Sequence, residues 1–403
     1  MAHLNPIQQT LLDLLANTLF DAKRRVRIDD PAALWTEANY QAVFLTALRD
    51  ADAEAFPPAL LEEIHYCVNR FLATNIRTAV SHAKLSCLLE DAGIGHVLIK
   101  GYASAIWYPQ PEMRQLGDID FYVDPAYVER TEALLLKEGF VPEKMSHSFH
   151  HVFRKDGCRF ELHYEIPGVP DSALADRCRS YFTDLIGRSA VRHTDFGEMR
   201  LPDVFHHGLI LLLHTAHHLT HSGIGLRHLC DWAVYIQTLP ETQFRALFET
   251  PLKQLGLWSF ACCLTDICVR YLGVTPVGFA KEADEAVSDA LLADLFAGGN
   301  FGQKAVVRSR QAYLITAGKK TDSSMRRMVT VLTDMVYQKW PVSKKIKPLV
   351  PVGLAFYTAR YAVRVAAGKR PKLYAREALA GAKARTELYE KLRLFDDPKE
   401  DIV

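Results

Sequence analysis

The chain has 403 residues, with 48 Lys and Arg against 47 Asp and Glu, a formal charge of +1 at neutral pH. Apolar residues make up 49% and charged ones 24%, which excludes a disordered chain and a uniformly basic nucleic-acid coat and leaves room for roughly two or three domains. The opening Met1-Ala2-His3-Leu4-Asn5-Pro6 has no basic stretch before an apolar run, so no secretory signal is read there. Eight cysteines without a C-x-x-C pair read as reduced, mostly buried thiols of a cytoplasmic protein.

Asn5-Pro6 opens a helix in which Ile7, Leu11, Leu14, Leu15 and Leu19 recur at helical spacing. A second helix starts near Pro31. A third follows Pro57-Pro58, runs through Ile64, Val68, Phe71, Val80, Leu85 and Leu89, and stops at Asp91-Ala92-Gly93. Residues 1–92 therefore read as an N-terminal helical region. The texture then changes: His96 to Ile99 is a short strand ending at Lys100-Gly101, and Tyr102 to Tyr108 makes two helical turns, its aromatics read as core. Ile119, Phe121 and Val123 alternate with Asp118, Asp120, Tyr122 and Asp124, the period of a strand with one buried face. Pro125 opens a helix that runs to Lys137. His150 to Arg154 and Arg159 to Ile166 read as strands joined at Asp156-Gly157, a hairpin signal.

This β-α-β-α-β-β order over roughly 93–167 lies in a core assigned to residues 93–200. Beyond it, residues 201–338 read as a helical domain lining a cleft and 339–403 as a basic C-terminal helical segment. The fold class is α+β, a small mixed sheet flanked by N-terminal helices and a large C-terminal helical region. Two apolar stretches mimic a membrane span, but Val204 to Leu226 carries six histidines and Pro348 to Gly368 carries Arg360 and Arg364, so no transmembrane segment is read.

Residues two apart in a strand share a face, so Asp118 and Asp120 present their carboxylates together. Such a pair repels itself unless a cation neutralises it, and Mg²⁺ held by carboxylates and substrate phosphates is the natural partner. Glu161 supplies a third carboxylate if its strand lies beside theirs. Gly101 lets backbone approach a phosphate, and the helix after it favours an anion. The parts together describe metal-assisted phosphoryl or nucleotidyl transfer.

The run Leu98-Ile99-Lys100-Gly101, Trp107-Tyr108-Pro109 and Met113 to Val123 around Asp118-Ile119-Asp120, with Glu161-Leu162-His163-Tyr164 later, resembles the DNA polymerase β-like nucleotidyltransferases. More narrowly it resembles the bacterial group of uncharacterised nucleotidyltransferases. The resemblance implies Asp118, Asp120 and Glu161 as a triad for Mg²⁺ or Mn²⁺ and Gly101 with its neighbouring backbone as a triphosphate cradle, the substrate being an NTP such as ATP. Two positions depart from the pattern. Tyr102 stands where a serine or glycine is usual, leaving Ser104 to take the serine's role, and the third carboxylate is Glu rather than Asp.

The remaining nucleotide-binding candidates keep two readings each. Lys100 is a triphosphate contact or a solvated strand end. Arg114 neutralises phosphate or pairs with Asp118 or Asp120. Arg227 and Asp231, one turn apart, form a helix ion pair unless Arg227 meets phosphate. The histidines at 206, 207, 214, 217, 218, 221 and 228 lack an H-E-x-x-H pattern or a cysteine partner, so His214 and His218 read as cleft lining, with His163 and Asp231, rather than as a zinc site.

The expected reaction moves an NMP from an NTP to an acceptor hydroxyl and releases pyrophosphate. The acceptor is a small molecule, peptide, glycan or RNA. The alternatives are a toxin-like enzyme that modifies tRNA and an inactive relative serving as a binding module. The balanced charge hides a segment, Lys339 to Arg393, with fourteen basic residues against three acidic, which leaves the rest at −10. Either an anionic partner meets it or it docks on the acidic body.

Overall fold

The computed structural model describes residues 4–49, 51, 54–143, 150–170, 174–304, 333, 336, 337, 340–344, 346, 348–367 and 375–396. Helix α1 (Pro6–Phe20) begins at a reciprocal cap, Asn5 Oδ1 accepting from Gln8 N at 2.9 Å and Gln8 Oε1 from Asn5 N at 3.0 Å. Helix α2 (Pro31–Tyr40) and the short α3 (Phe44–Ala47) follow. Next comes α4 (Pro58–Asp91), 34 residues and about 50 Å long, with Gly93 in a left-handed conformation just beyond its end (φ 60°).

A five-stranded sheet follows, made of β1 (His96–Ile99), β2 (Ile119–Val123), β3 (Val141–Pro142), β4 (His150–Lys155) and β5 (Cys158–His163) in the order β1-β2-β5-β4-β3. β2 and β5 run parallel and the other neighbours antiparallel. Helix α5 (Gly101–Ala105) links β1 to β2, and α6 (Val128–Lys137) follows β2. The β4–β5 turn has Asp156 and Gly157 at φ 52° and 76°, the left-handed pair that a two-residue hairpin uses. The expected element order therefore holds. Two features carried no alternating apolar signal, the two-residue β3 and, after α7 (Ala175–Ser180) and α8 (Leu185–Arg188), the hairpin β6 (Ala190–Thr194) and β7 (Gly197–Leu201). β6 faces solvent almost throughout, and only Met199 and Leu201 of β7 are buried.

From residue 204 the described chain is helical: α9 (Val204–His221), α10 (Leu226–Gln237), α11 (Glu241–Phe244), α12 (Thr250–Gln254), α13 (Trp258–Ile267), α14 (Glu285–Gly298), α15 (Leu349–Ala366) and α16 (Ala375–Lys391). α9 crosses α10 so closely that a Cβ on Gly208 would lie 2.4 Å from the Tyr235 hydroxyl. One apolar core joins Leu11 and Leu15 of α1 to Leu209, Trp232, Phe260 and Leu392. A second, under the sheet, holds Leu98, Phe121, Phe153 and Leu201. α4 belongs to both: Ile64 and Val68 enter the first, and Ala79, Leu85 and Leu89 the second.

No described helix is long and apolar enough to cross a membrane. All eight cysteines are free thiols, six of them buried. The basic C-terminal segment divides. Arg385 is 4% exposed and donates to the Leu219 carbonyl at 2.8 Å, docking α16 on the end of α9. Arg360 and Arg364 are exposed on α15, which also exposes Val352, Phe356 and Val363. Lys339, Lys369, Arg370 and Lys372 lie outside the described residues.

Candidate active site

The sheet register brings the acidic residues together. Asp120 stands opposite Ile99 of β1 on one side and Glu161 of β5 on the other, and Tyr122 pairs with His163. In parallel strands in register, paired residues share a face, so the side chains of Asp120, Glu161 and His163 converge. Their ligating atoms all lie within 4.8 Å of one another. His163 Nε2 is 2.8 Å from Asp120 Oδ1 and 3.5 Å from Glu161 Oε2, and Lys100 Nζ reaches the same Asp120 oxygen at 2.6 Å.

Asp118 lies apart from that trio. Its side chain is 41% exposed, against 10% for Asp120 and 13% for Glu161, and its carboxylate pairs with Arg159. The Arg159 guanidinium also pairs with Glu161, so it bridges the two carboxylates. Sequence reasoning overlooked Arg159, although period two places it on the face of Glu161, two residues on. His163 likewise belongs with the donors rather than only with the cleft lining.

The electrostatics follow these partners. Burial alone would raise the Asp120 carboxyl, but Lys100 and then His163 outweigh it and hold it far below the usual carboxylate range. Glu161 is also lowered, the His163 hydrogen bond overcoming burial. Asp118 is raised, by burial first, with Arg159 opposing and Glu161 and Asp120 adding. The site thus holds two firmly ionised carboxylates inside and one with a raised proton affinity at its mouth.

β1 ends in an unusual backbone. Lys100 adopts φ 55°, ψ −151°, a region that costs a non-glycine residue roughly 1–3 kcal/mol and is typical of sites held in shape by their surroundings. Gly101 follows at φ 44°, and a Cβ there would lie 2.9 Å from His82 Nε2. Only glycine fits this turn. Ser104 in α5 is 1% exposed, and its hydroxyl has no partner among the described residues.

α4 carries a buried polar stripe, Asn75, Thr78, His82 and Ser86, at helical spacing, which sequence reasoning missed by following only the apolar positions. Asn75 clamps the loop before β2: its Nδ2 donates to the carbonyls of Glu112 and Arg114 at 2.8 Å, and its Oδ1 accepts from Leu116 N at 3.0 Å. His82 donates from Nδ1 to the Thr78 carbonyl at 2.9 Å, leaving a bare Nε2 beside Gly101.

Arg114 reaches neither Asp118 nor Asp120. Its Nε and Nη2 donate to the two Asp231 oxygens, each at 2.7 Å, and the Tyr108 hydroxyl donates to Asp231 Oδ1 at 2.7 Å. The pair is buried, with side chains 7% and 6% exposed. Arg227 therefore lacks the Asp231 partner its spacing suggested. Tyr102 and Tyr108 are core residues, and Trp107 packs on His207 and Tyr235.

The histidines of α9 divide. Asp203 caps α9, its Oδ1 accepting from His206 N at 2.9 Å and lying 2.7 Å from His206 Nδ1. His214 and His218 meet Nε2 to Nε2 at 2.9 Å, beside His228. Burial depresses both well below the ordinary value, and the charge of Lys100 adds to this. Among the described residues they form no group of three metal-ligating atoms.

Burial lowers His82 from 6.5 to about 4 and His207 to about 3. These folded-state values lie below the unfolded one, so unfolding takes up protons as pH falls below 6.5 and stability declines until the folded values are reached. At pH 5 the loss is about 2 kcal/mol for each of the two. Urea unfolding at pH 7 and pH 5 should show a drop that His82→Gln and His207→Gln reduce; an unchanged midpoint would exclude neutral burial of these rings.

The profile of a protein family described as uncharacterised nucleotidyltransferase matches residues 26–273, more than half of the chain and all of the sheet and its acidic cluster. No match was found among curated proteins.

Proposed function

This chain belongs to the uncharacterised nucleotidyltransferase family and is a nucleotidyltransferase; from that premise we propose that it moves an NMP from an NTP to an acceptor hydroxyl at the Asp120–Glu161 cluster. One observation carries the reading above the rest: the parallel β2–β5 register sets Asp120 beside Glu161, with His163 and Lys100 closing on the same oxygens.

The donors suit a divalent cation. Two ionised carboxylates supply hard oxygen ligands, and the His163 ring would add a nitrogen that Mn²⁺ accepts more readily than Mg²⁺. Asp120, Glu161 and His163 would hold the ion, with Asp118 next to them. When bound it would neutralise triphosphate charge and polarise the α-phosphate.

The protein's own groups do the rest. The Gly101 turn admits the triphosphate close to backbone, and Lys100, fixed on Asp120, sets a positive charge at that turn. Ser104, with its unpaired hydroxyl, lies one helical turn on. Arg159 leans from Asp118 toward incoming phosphate oxygens. The acceptor oxygen attacks the α-phosphorus in line, the bond to the β-phosphate breaks, pyrophosphate leaves with that electron pair, and Asp118 takes the acceptor proton. Its exposure and raised proton affinity suit that role. Arg114 belongs to the framework rather than to the phosphates.

The test supplies the full chain with each labelled NTP, Mg²⁺ or Mn²⁺, and a lysate fractionated into RNA, protein and small molecules. Label should enter one fraction with pyrophosphate release, stop with EDTA and resume with excess metal. Label in the tRNA fraction would select the toxin-like reading. No metal-dependent NTP consumption with any fraction would leave the binding-module reading.

A further inference from the structure

A cleft of about 660 Å³ is lined by Trp35, Tyr40, Phe44 and Phe71 of the N-terminal helices, by Gln115 and Leu116 before β2, and by Arg227 and Asn300. Its size is that of a small-molecule site. Among the described residues, three that line it have buried polar atoms with no hydrogen-bond partner: Gln115 Oε1, Arg227 Nε and Asn300 Oδ1. Each such atom costs roughly 1–3 kcal/mol while unpaired, and all three are shielded from the open cleft by their neighbours.

The lining carries one charge of each sign, Arg227 and Glu63, and the Glu63 carboxylate accepts from Trp35 Nε1 at 3.1 Å. Asp231, one turn from Arg227, is taken by Arg114 and Tyr108. Among the described residues the only hydrogen bond of the Arg227 guanidinium is a 3.4 Å contact to the Gln115 carbonyl, and its other neighbour is the Phe301 ring at 5.3 Å. Burial, with Arg114 adding, brings it from 12.5 to about 10. A partly desolvated cation with no counter-ion is an anion receptor. The aromatic residues of the lining offer stacking surface.

Leu116 lines the cleft two residues before Asp118, a Cα separation of at most about 7 Å. We infer that this cleft is the acceptor site and that it takes a flat-ringed molecule bearing a carboxylate or phosphate, held by Arg227, with its hydroxyl turned toward Asp118. The inference rests on the transfer reading above and gives it an acceptor class, an anionic ring compound rather than a neutral sugar.

The test is calorimetric titration of the full chain with benzoate, phenyl phosphate and neutral benzyl alcohol. One anionic probe should bind saturably, and the stronger of the two shows whether a carboxylate or a phosphate is preferred. Arg227→Gln should weaken it at least tenfold, and Asn39→Trp, which fills the cleft from α2 without changing charge, should do the same while Mn²⁺–NTP binding persists. The inference is overturned if neither anion binds, if benzyl alcohol binds as well, or if Arg227→Gln spares the probes and weakens Mn²⁺–NTP instead. The probes are read by binding alone, so failure of the transfer reading shows in the NTP assay and failure of the acceptor site in the titration.

Discussion

Asp120→Asn should reduce NMP transfer by on the order of 10³-fold or more and abolish tight Mn²⁺ binding, with the far-UV circular dichroism unchanged. Asparagine keeps the shape of the side chain and still accepts from His163, so what is lost is the charge that Lys100 and His163 hold ionised. A cation site with one ionised carboxylate where it had two retains little affinity for a divalent ion. Asp118→Asn separates two roles within the acidic set. Asp118 stands outside the trio whose ligand atoms fall within 4.8 Å, so this variant should lose turnover but keep most of its Mn²⁺ affinity by electron paramagnetic resonance. Equal loss of metal by both variants would make Asp118 a full ligand, and retained turnover in Asp120→Asn would remove the cluster from the chemistry.

This division of labour shows where sequence patterning reaches and where it stops. Local signals were sound because their physics is local. The Asn5-Pro6 cap, the Gly93 stop and the Asp156-Gly157 turn each depend on a few adjacent backbone torsions. Alternation around Asp118-Ile119-Asp120 gave β2, and a strand reading of Glu161 gave the third carboxylate. The pairing of β2 with β5 is a matter of sheet order, which alternation leaves open, so Glu161 beside Asp120 was a condition until the register showed it.

Spacing misled where a partner came from far along the chain. Arg114 lies four residues before Asp118, yet its carboxylate partner is Asp231, 117 residues away. Arg227 and Asp231 have the spacing of a helix ion pair, yet Asp231 turns to β2's entry loop and Arg227 turns to the cleft. Asn75, Thr78 and His82 sit in a helix dominated by apolar periodicity, and polar residues there read as a solvated face. They are buried because the face meets a loop with its own unpaired backbone groups. β6 escaped notice for a related reason: a strand exposed on both faces has no hydrophobic period to detect.

The Arg114–Asp231 pair makes the second large expectation. Replacing Asp231 by Ala should cost about 3–5 kcal/mol in urea unfolding, because Arg114 would stay buried without a counter-ion and the Tyr108 hydroxyl would lose its acceptor. Arg114→Met should cost a comparable amount, since it leaves the Asp231 carboxylate buried with the Tyr108 hydroxyl but without its ion partner, and the double variant Arg114→Met/Asp231→Leu should be closer to wild type than either single variant. With Asp231→Leu as the matching single variant, the interaction measured by that cycle belongs to the pair and not to either residue. The consequence for turnover follows from the chain: Asn75 holds the Arg114 carbonyl and Leu116 N, Asp231 holds the Arg114 side chain, and Asp118 begins two residues after Leu116. Loosening one anchor lets the mouth carboxylate drift while Asp120, fixed in the sheet, stays put. Asp231→Asn, milder because it keeps an acceptor for Tyr108, should therefore lower kcat while sparing Mn²⁺ affinity, the pattern also expected of Asp118→Asn. A stability loss below about 1 kcal/mol for Asp231→Ala would mean that the pair is solvated and that Arg114 is free to meet phosphate after all.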